Sequence, residues 1–427
     1  MRRHKDFPLS AAPGQAGFSL IEMLVTLAVF AVLLVAILEI FQINSNVGRV
    51  QMNVADMQQA LRITQQEILR MSRMAGRGGL PVADAAQNLY PPQGIALAVQ
   101  NNVADGTRMA AGEDETLVLP GTDVLTLRGV FETPLYQINY ADSTTFALVP
   151  PAAAGGTVTG KVMIRSVSTR GVAQPLDPLI ELIEAEVPQA ILLTSPMDDA
   201  VYAVVQLDPG SCDYDEATRT WVQLAFRTDG EYGDEYLRLS YRGAFDPALQ
   251  SVGHLGILEE HRFYVRRTRA IPGDETSAEV PRFTRGRFFP GTDVAYLDDD
   301  NARQDIADFI VDLQFALGLD TVNAGGRNGD ILETTDGNSD DWLLNRTGEA
   351  GDNAWRAVPP ETRQPPVYYL RINALARADR ADLNYMAPLL TRIEDHTFNA
   401  ASPINRFEER RYRRRLLQTV VDLRNLA

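Results

Sequence analysis

The chain has 427 residues, 45% of them hydrophobic and 8% aromatic, with a formal charge of −16. That composition supports a sizeable packed core and excludes a wholly disordered chain. Positive charge is nearly all arginine, since lysine occurs only at Lys5 and Lys161, and so acidic a chain with no broad basic surface is not built for nucleic acid.

The first 17 residues carry Arg2, Arg3, His4 and Lys5, then Pro8, Pro13 and Ala16-Gly17. A secretory signal places its apolar segment before a small-residue cleavage site; here the apolar run follows Gly17. Residues 18–38 are interrupted by Glu22 and the neutral Ser19 and Thr26 alone, and at the helical rise they span about 32 Å, enough to cross a bilayer. The basic leader predicts a cytoplasmic N-terminal side, with residues beyond about 40 facing outward. Glu22 stands out because a charged side chain in hydrocarbon costs about 2.5–3.5 kcal/mol on insertion scales and needs a partner.

From Val47 the apolar positions Val50, Val54, Met57, Leu61, Ile68, Met71 and Ala75 recur at spacings of three and four, with Thr64 filling one gap. That is a narrow helical stripe, and no proline interrupts residues 18–80. Gly76, Gly78, Gly79 and Pro81 supply the stop. The pattern predicts one helix over 18–79, with a lipid-soluble first half and an amphipathic second half. The stripe fits either a coiled-coil seam or a helix laid on its own globular domain.

The stretch "GFSLIEMLVTLAVFAVLL" resembles the N-terminal signature of type IV pilins and of the pseudopilins of type II secretion. The resemblance implies that a prepilin peptidase cuts between Gly17 and Phe18 and then N-methylates the new amine of Phe18. It further implies that in a fibre the Glu22 carboxylate pairs with the terminal amine of a neighbouring subunit. Each charge is expensive alone and tolerable together, which makes Glu22 a register device for assembly.

Residues 80–427 read as an exported, β-rich globular domain, of one or two subdomains. Cys212, lying in the acidic stretch "DPGSCDYDE", excludes an intramolecular disulfide and reads as a small surface-loop residue. Alternating apolar and polar residues predict antiparallel strands at 115–120, 123–129, 157–167, 201–207, 220–227, 235–243, 262–269, 366–377 and 414–425. Residues 305–318, "DIADFIVDLQFALG", read as a helix through Ile306, Phe309, Ile310, Leu313 and Leu317. The predicted class is α+β: a long N-terminal helix, transmembrane in its first half, packed on an antiparallel β domain. The connections 81–114 and 320–365 are long, and "PGTDV" occurs at both 120–124 and 290–294, a recurrence too short to establish a duplication.

Chemistry-bearing motifs are scarce. Gly155, Gly160 and Lys161 have phosphate-loop spacing, but Val162 replaces the magnesium-holding hydroxyl and the surroundings alternate like a strand. His4, His254, His261 and His396 show no zinc spacing, and no nucleophile elbow occurs. An enzyme is not expected, nor a cofactor, with one exception: the acidic loops 297–305 and 319–330 have the oxygen ligands for a structural calcium. Neither fits the twelve-residue calcium loop, since Val322 occupies a ligand position. The simpler reading is solvated loops with a helix N-cap at Asp305. The arginines of "RFEERRYRRRLL", from Arg406 to Arg415, are expected to meet acidic faces of this fold or of neighbouring subunits.

"GTDVLTLRG" (121–129), "DIADFIVDLQFALGLD", Trp342, "VYYLRINALARA" (367–378) and "RRRLLQTVVDLRNL" (413–426) together resemble the PilW-type minor pilins of type IV pili. That resemblance implies a non-enzymatic subunit that helps initiate and assemble the fibre. Its partners would be other minor pilins, the major pilin and the prepilin peptidase. It would sit in the bacterial inner membrane and then in the pilus. A J-type pseudopilin and a pilus-tip adhesin are the alternatives.

Overall fold

The computed structural model describes residues 19–82, 91–110, 117–138, 160–186, 189–195, 202–227, 253–271, 274, 276–294, 296, 302–319, 342–345 and 367–423. It is an α+β chain that divides into two compact units, Met1–Ala55 and Asp56–Ala427.

Helix α1, Leu20–Ser72, is 53 residues long. Its apolar side chains from Leu20 to Val47 are exposed, whereas Met57, Leu61, Thr64, Ile68 and Met71 are buried. The amphipathic stripe is therefore buried from Met57 onward by the chain's own second unit. The helix ends a turn before the glycines: residues 73–79 form turns, and Gly76, Gly78 and Gly79 all have positive φ.

The strands in chain order are β1 Leu97–Gln100, β2 Val124–Gly129, β3 Tyr136–Gln137 and β4 Gly160–Arg165, followed by helix α2, Asp177–Glu184. Then come β5 Ala190–Thr194, β6 Tyr202–Leu207, β7 Asp213–Tyr214, β8 Trp221–Arg227, β9 His254–Ile257, β10 Glu259–Arg269, β11 Glu279–Phe288 and β12 Arg303–Asp308. The last are β13 Ile310–Leu319, β14 Trp342–Leu343, β15 Val367–Arg377, β16 Arg392–Ile393, β17 His396–Thr397 and β18 Arg414–Asp422.

Two antiparallel sheets carry the framework, ordered β1-β2-β10-β11-β12 and β14-β13-β15-β18. They are stitched where Asp123 N–H donates to Leu313 O at 2.8 Å. The chain passes from one sheet to the other at Phe309, which has φ 62° between β12 and β13. A bulky residue in that region is strained, and the strain is held by its N–H bond to Pro281 O and its carbonyl bond to Arg377 N. The helix expected over 305–318 is thus two strands meeting at a corner. The three-and-four spacing misled because β13 is buried on both faces: all its residues but Val311 are inside. Asp305 caps no helix; it lies in β12, where Arg266, Arg282 and Thr284 bind its carboxylate.

A third sheet, β3-β9-β5-β6-β8-β4 with β7 beside β8, curls until Ile138 bridges Ile164 across its outer strands and closes a small barrel. Alternate residues fill it, among them Val162, Ile164, Ile191, Leu193, Val205, Leu224 and Ile257, while Leu179, Ile180 and Ile183 of α2 close one end. The barrel is an insertion: β2 pairs directly with β10 through Gly129 and Glu259, so everything between them leaves and re-enters the five-stranded sheet at adjacent points. Cys212 is not a bare loop residue. It packs on the barrel core, its Sγ accepts Ala225 N–H at 3.2 Å, and burial pushes its thiol up to about 11.

The turn after α1 is wedged against this barrel. A Cβ on Gly78 would stand 3.0 Å from both Leu192 Cδ2 and Val130 Cγ2, at φ +103°. Gly78→Ala is therefore expected to destabilise the second unit by about 1–3 kcal/mol through backbone strain and overpacking. Thermal melting of the purified variant checks this, and an unchanged melting temperature would refute the wedge.

Other expectations resolve as follows. Of the strand expected at 115–120, residues 115–116 lie outside the described residues and the rest forms isolated bridges at Leu117 and Val118. The "PGTDV" recurrence is a recurring turn: Gly121 and Gly291 have φ 81° and 79°, and Thr122 and Thr292 each bond back to the residue three earlier. Beyond it the two copies part, with Asp123 buried and Asp293 exposed. Strand 235–243 and residues 320–341 lie outside the described residues.

Candidate assembly interface

Gly17 and Phe18 lie outside the described residues; Ser19 and Glu22 do not. Ser19 precedes the first helical residue, and the two side chains cap each other's backbone. Ser19 N–H donates to Glu22 Oε2 at 3.1 Å, and Glu22 N–H donates to Ser19 Oγ at 3.2 Å. This reciprocal pair is a capping box, which satisfies two of the donors a helix start leaves open. The carboxylate also lies where the helix dipole favours negative charge. The Ser-x-x-Glu spacing was readable as a helix start, so Glu22 has a local partner that the apolar-run argument missed. Thr26 Oγ1 donates to Glu22 O at 2.7 Å, so the first turns hide their polar groups internally. From Leu27 to Leu38 every side chain is exposed hydrocarbon, and the helix is long and apolar enough to cross a membrane.

Within the second unit the same helix is tied electrostatically as well as by its seam. Glu67 Oε1 accepts from Arg70 at 2.8 Å and from Arg285 of β11 at 2.5 Å. Burial opposes the Glu67 charge, but the hydrogen bonds and charges of Arg70 and Arg285 hold its carboxyl below the usual range.

Beneath the helix stop, Gly76 N–H donates to Arg128 O at 2.9 Å. Arg128 opens a largely buried ion network: Glu260 binds Arg128 Nε at 2.5 Å, Arg262 Nε at 2.7 Å and Gly291 N–H at 2.7 Å, and Arg262 also binds the exposed Asp293 at 3.0 Å. Despite full burial, the two guanidinium charges keep the Glu260 carboxyl at about 2. Neighbouring His261 is held below its usual range, chiefly by burial; its Nε2 lies 3.3 Å from Glu259.

A second polar network is made by three consecutive residues of the β16–β17 hairpin. Glu394 binds Arg371 at 2.7 Å and Asn373 at 2.6 Å on β15. Asp395 binds Asn101 at 2.5 Å and Asn102 at 3.1 Å beyond β1, and His396 Nδ1 lies 3.2 Å from Asp312 on β13. The hairpin therefore straps both sheets. Below it Asp123 accepts the N–H groups of Asn102 and Phe315, each at 2.8 Å, while burial raises its carboxyl well above the usual range.

The C-terminal arginines meet this fold's own acceptors. Arg413 binds Asp382 at 2.9 Å, Arg377 binds Glu409 at 2.6 Å, and Arg410 Nε donates to Ala387 O at 2.8 Å. Arg406 and Arg415 make no side-chain bond among the described residues. Among the described residues no group of three or more His, Cys, Asp and Glu is placed to hold a metal. Most of both proposed calcium loops falls outside them.

Two families match. Residues 13–38 match the prokaryotic N-terminal methylation motif, and residues 274–425 match Type IV Pilus-assembly protein W. The second match covers β11 to β18, the corner at Phe309 and the hairpin strap, and leaves out the inserted barrel. No curated protein and no solved structure matches the chain.

Proposed function

We propose that this chain, a PilW-like type IV pilin by its two family matches, is a non-enzymatic minor pilin that helps initiate and assemble the fibre. The observation that carries the reading is the pairing of an exposed apolar half-helix, capped by Glu22 in its first turn, with a folded unit that seals the rest of that helix. The exposed half has nowhere to go in water, so it is anchored in a membrane and, after extraction, among neighbouring subunits. Residues 1–17 serve as the leader, with cleavage before Phe18 and methylation of its amine. Glu22 then exchanges its local cap for the amine of the next subunit.

The experiment is a strain lacking the gene, with sheared surface fibres and secreted exoproteins quantified side by side against the parent. Loss of fibres with normal secretion is the expected result. Lost secretion with intact fibres would move the chain to the pseudopilins.

A further inference from the structure

A cleft of about 480 Å³ opens where β10, β11, β13, β15 and β18 meet the segment 398–409, a size typical of ligand sites. Its apolar lining includes Leu119, Val311, Phe398 and Ile404. The charged lining is four guanidiniums, Arg267, Arg377, Arg406 and Arg414, against three carboxylates, Glu279, Glu408 and Glu409. A surplus guanidinium in a concave site runs against the charge of the chain as a whole, −16.

The carboxylates do not use up that surplus, although Glu408 makes no ion pair among the described residues and adds its own charge to the cleft. Glu409 is committed to Arg377 at 2.6 Å, and Glu279 stands 4.0 Å from Arg267 and 3.9 Å from Arg269. Arg414 Nη2 donates to the carbonyls of Ile404 and Glu409. The Arg406 side chain makes no hydrogen bond or ion pair among the described residues, and Arg377 Nε and Arg414 Nη1 are buried without an acceptor. A buried charged donor left unmet is costly, and burial already holds Arg414 below the usual arginine range. Planar guanidiniums beside an apolar lining select a carboxylate next to hydrocarbon.

We propose that this cleft docks an acidic, apolar peptide segment of a neighbouring pilus subunit, with its carboxylate on Arg406 and its apolar side chain against Leu119, Val311 and Ile404. The source of the segment rests on the minor-pilin reading; the chemistry of the cleft does not.

The test uses the full chain in detergent micelles and a fluorescent, acetylated peptide of alternating leucine and aspartate, with its leucine–asparagine isostere as control. The aspartate peptide is expected to bind at least about tenfold more tightly than the isostere, and R406Q to lose about tenfold, with R406K between them. Equal binding of the two peptides, indifference to R406Q, no binding at about 1 mM, or equally good competition by free succinate would each overturn the proposal. Sheared fibres from cells carrying R406Q are probed in parallel. Absence of the unsubstituted chain from fibres would sink the minor-pilin reading while leaving the titration result standing.

Discussion

Glu260→Ala is expected to destabilise the second unit by about 3–5 kcal/mol, the range for removing one partner of a buried ion pair. Glu260 is fully buried and is the sole carboxylate between Arg128 and Arg262, whose guanidiniums are themselves nearly enclosed. Removing it takes the shared carboxylate from two nearly enclosed guanidiniums, leaving Arg262 with the exposed Asp293 and Arg128 with backbone carbonyls, and the Gly291 N–H without its acceptor. A fall of several degrees or more in melting temperature would show this. A variant with Arg128→Met, Glu260→Leu and Arg262→Met should recover much of the loss, because the desolvation penalty disappears with the charges. A melting temperature unchanged in Glu260→Ala would mean that the arginines find other acceptors.

The same triad sets a pH dependence. The Glu260 carboxyl is depressed to about 2 from an ordinary 4.5, so its contribution is fully present above about 4.5 and is lost as pH falls from there toward 2. Stability measured down that range should therefore fall in the parent, and fall less in the apolar variant.

Glu22→Gln is expected to leave membrane insertion and processing intact while reducing the chain's content in sheared fibres by at least about tenfold, since a charge desolvated without its partner costs several kcal/mol. The substitution is informative because of the cap geometry. Glutamine at the same place can still accept Ser19 N–H, so the helix start survives. Only the negative charge is removed. Immunodetection of the chain in the fibre and membrane fractions reads the outcome, and parental fibre content would end the pairing hypothesis. Ser19→Ala serves as the converse control, removing the cap while keeping the charge.

Local pattern was enough for several elements. The apolar run and the three-and-four stripe located α1, and alternation located β2, β4, β6, β8, β10, β15 and β18 within a few residues. α1, β4, β8, β10 and β18 expose one face, or one half, to a different medium, and such asymmetry writes itself into neighbouring residues; β2 and β6 are buried throughout, and their residues mix apolar with polar all the same. β5, "AILLT", is a short apolar run with no alternation to mark it, and β13 is buried on both faces with three-and-four apolar spacing that mimics a helix. The polar residues of β13 look like surface positions, yet Asp312 and Gln314 are inside, bonded to His396 and to Gly121 O from far along the chain.

By itself, then, the sequence determined the membrane-grade helix, its acid, the β-rich class and the family likeness, all of them properties of short contiguous stretches. The tertiary structure decided the rest: that the stripe is sealed by its own domain, that a barrel is inserted between β2 and β10, that Phe309 turns a corner, and that four arginines converge on one cleft. Each of these depends on pairings between residues tens to hundreds of positions apart, where the free energy of burial and of satisfied polar groups is shared across the fold and leaves no periodic trace in any one segment.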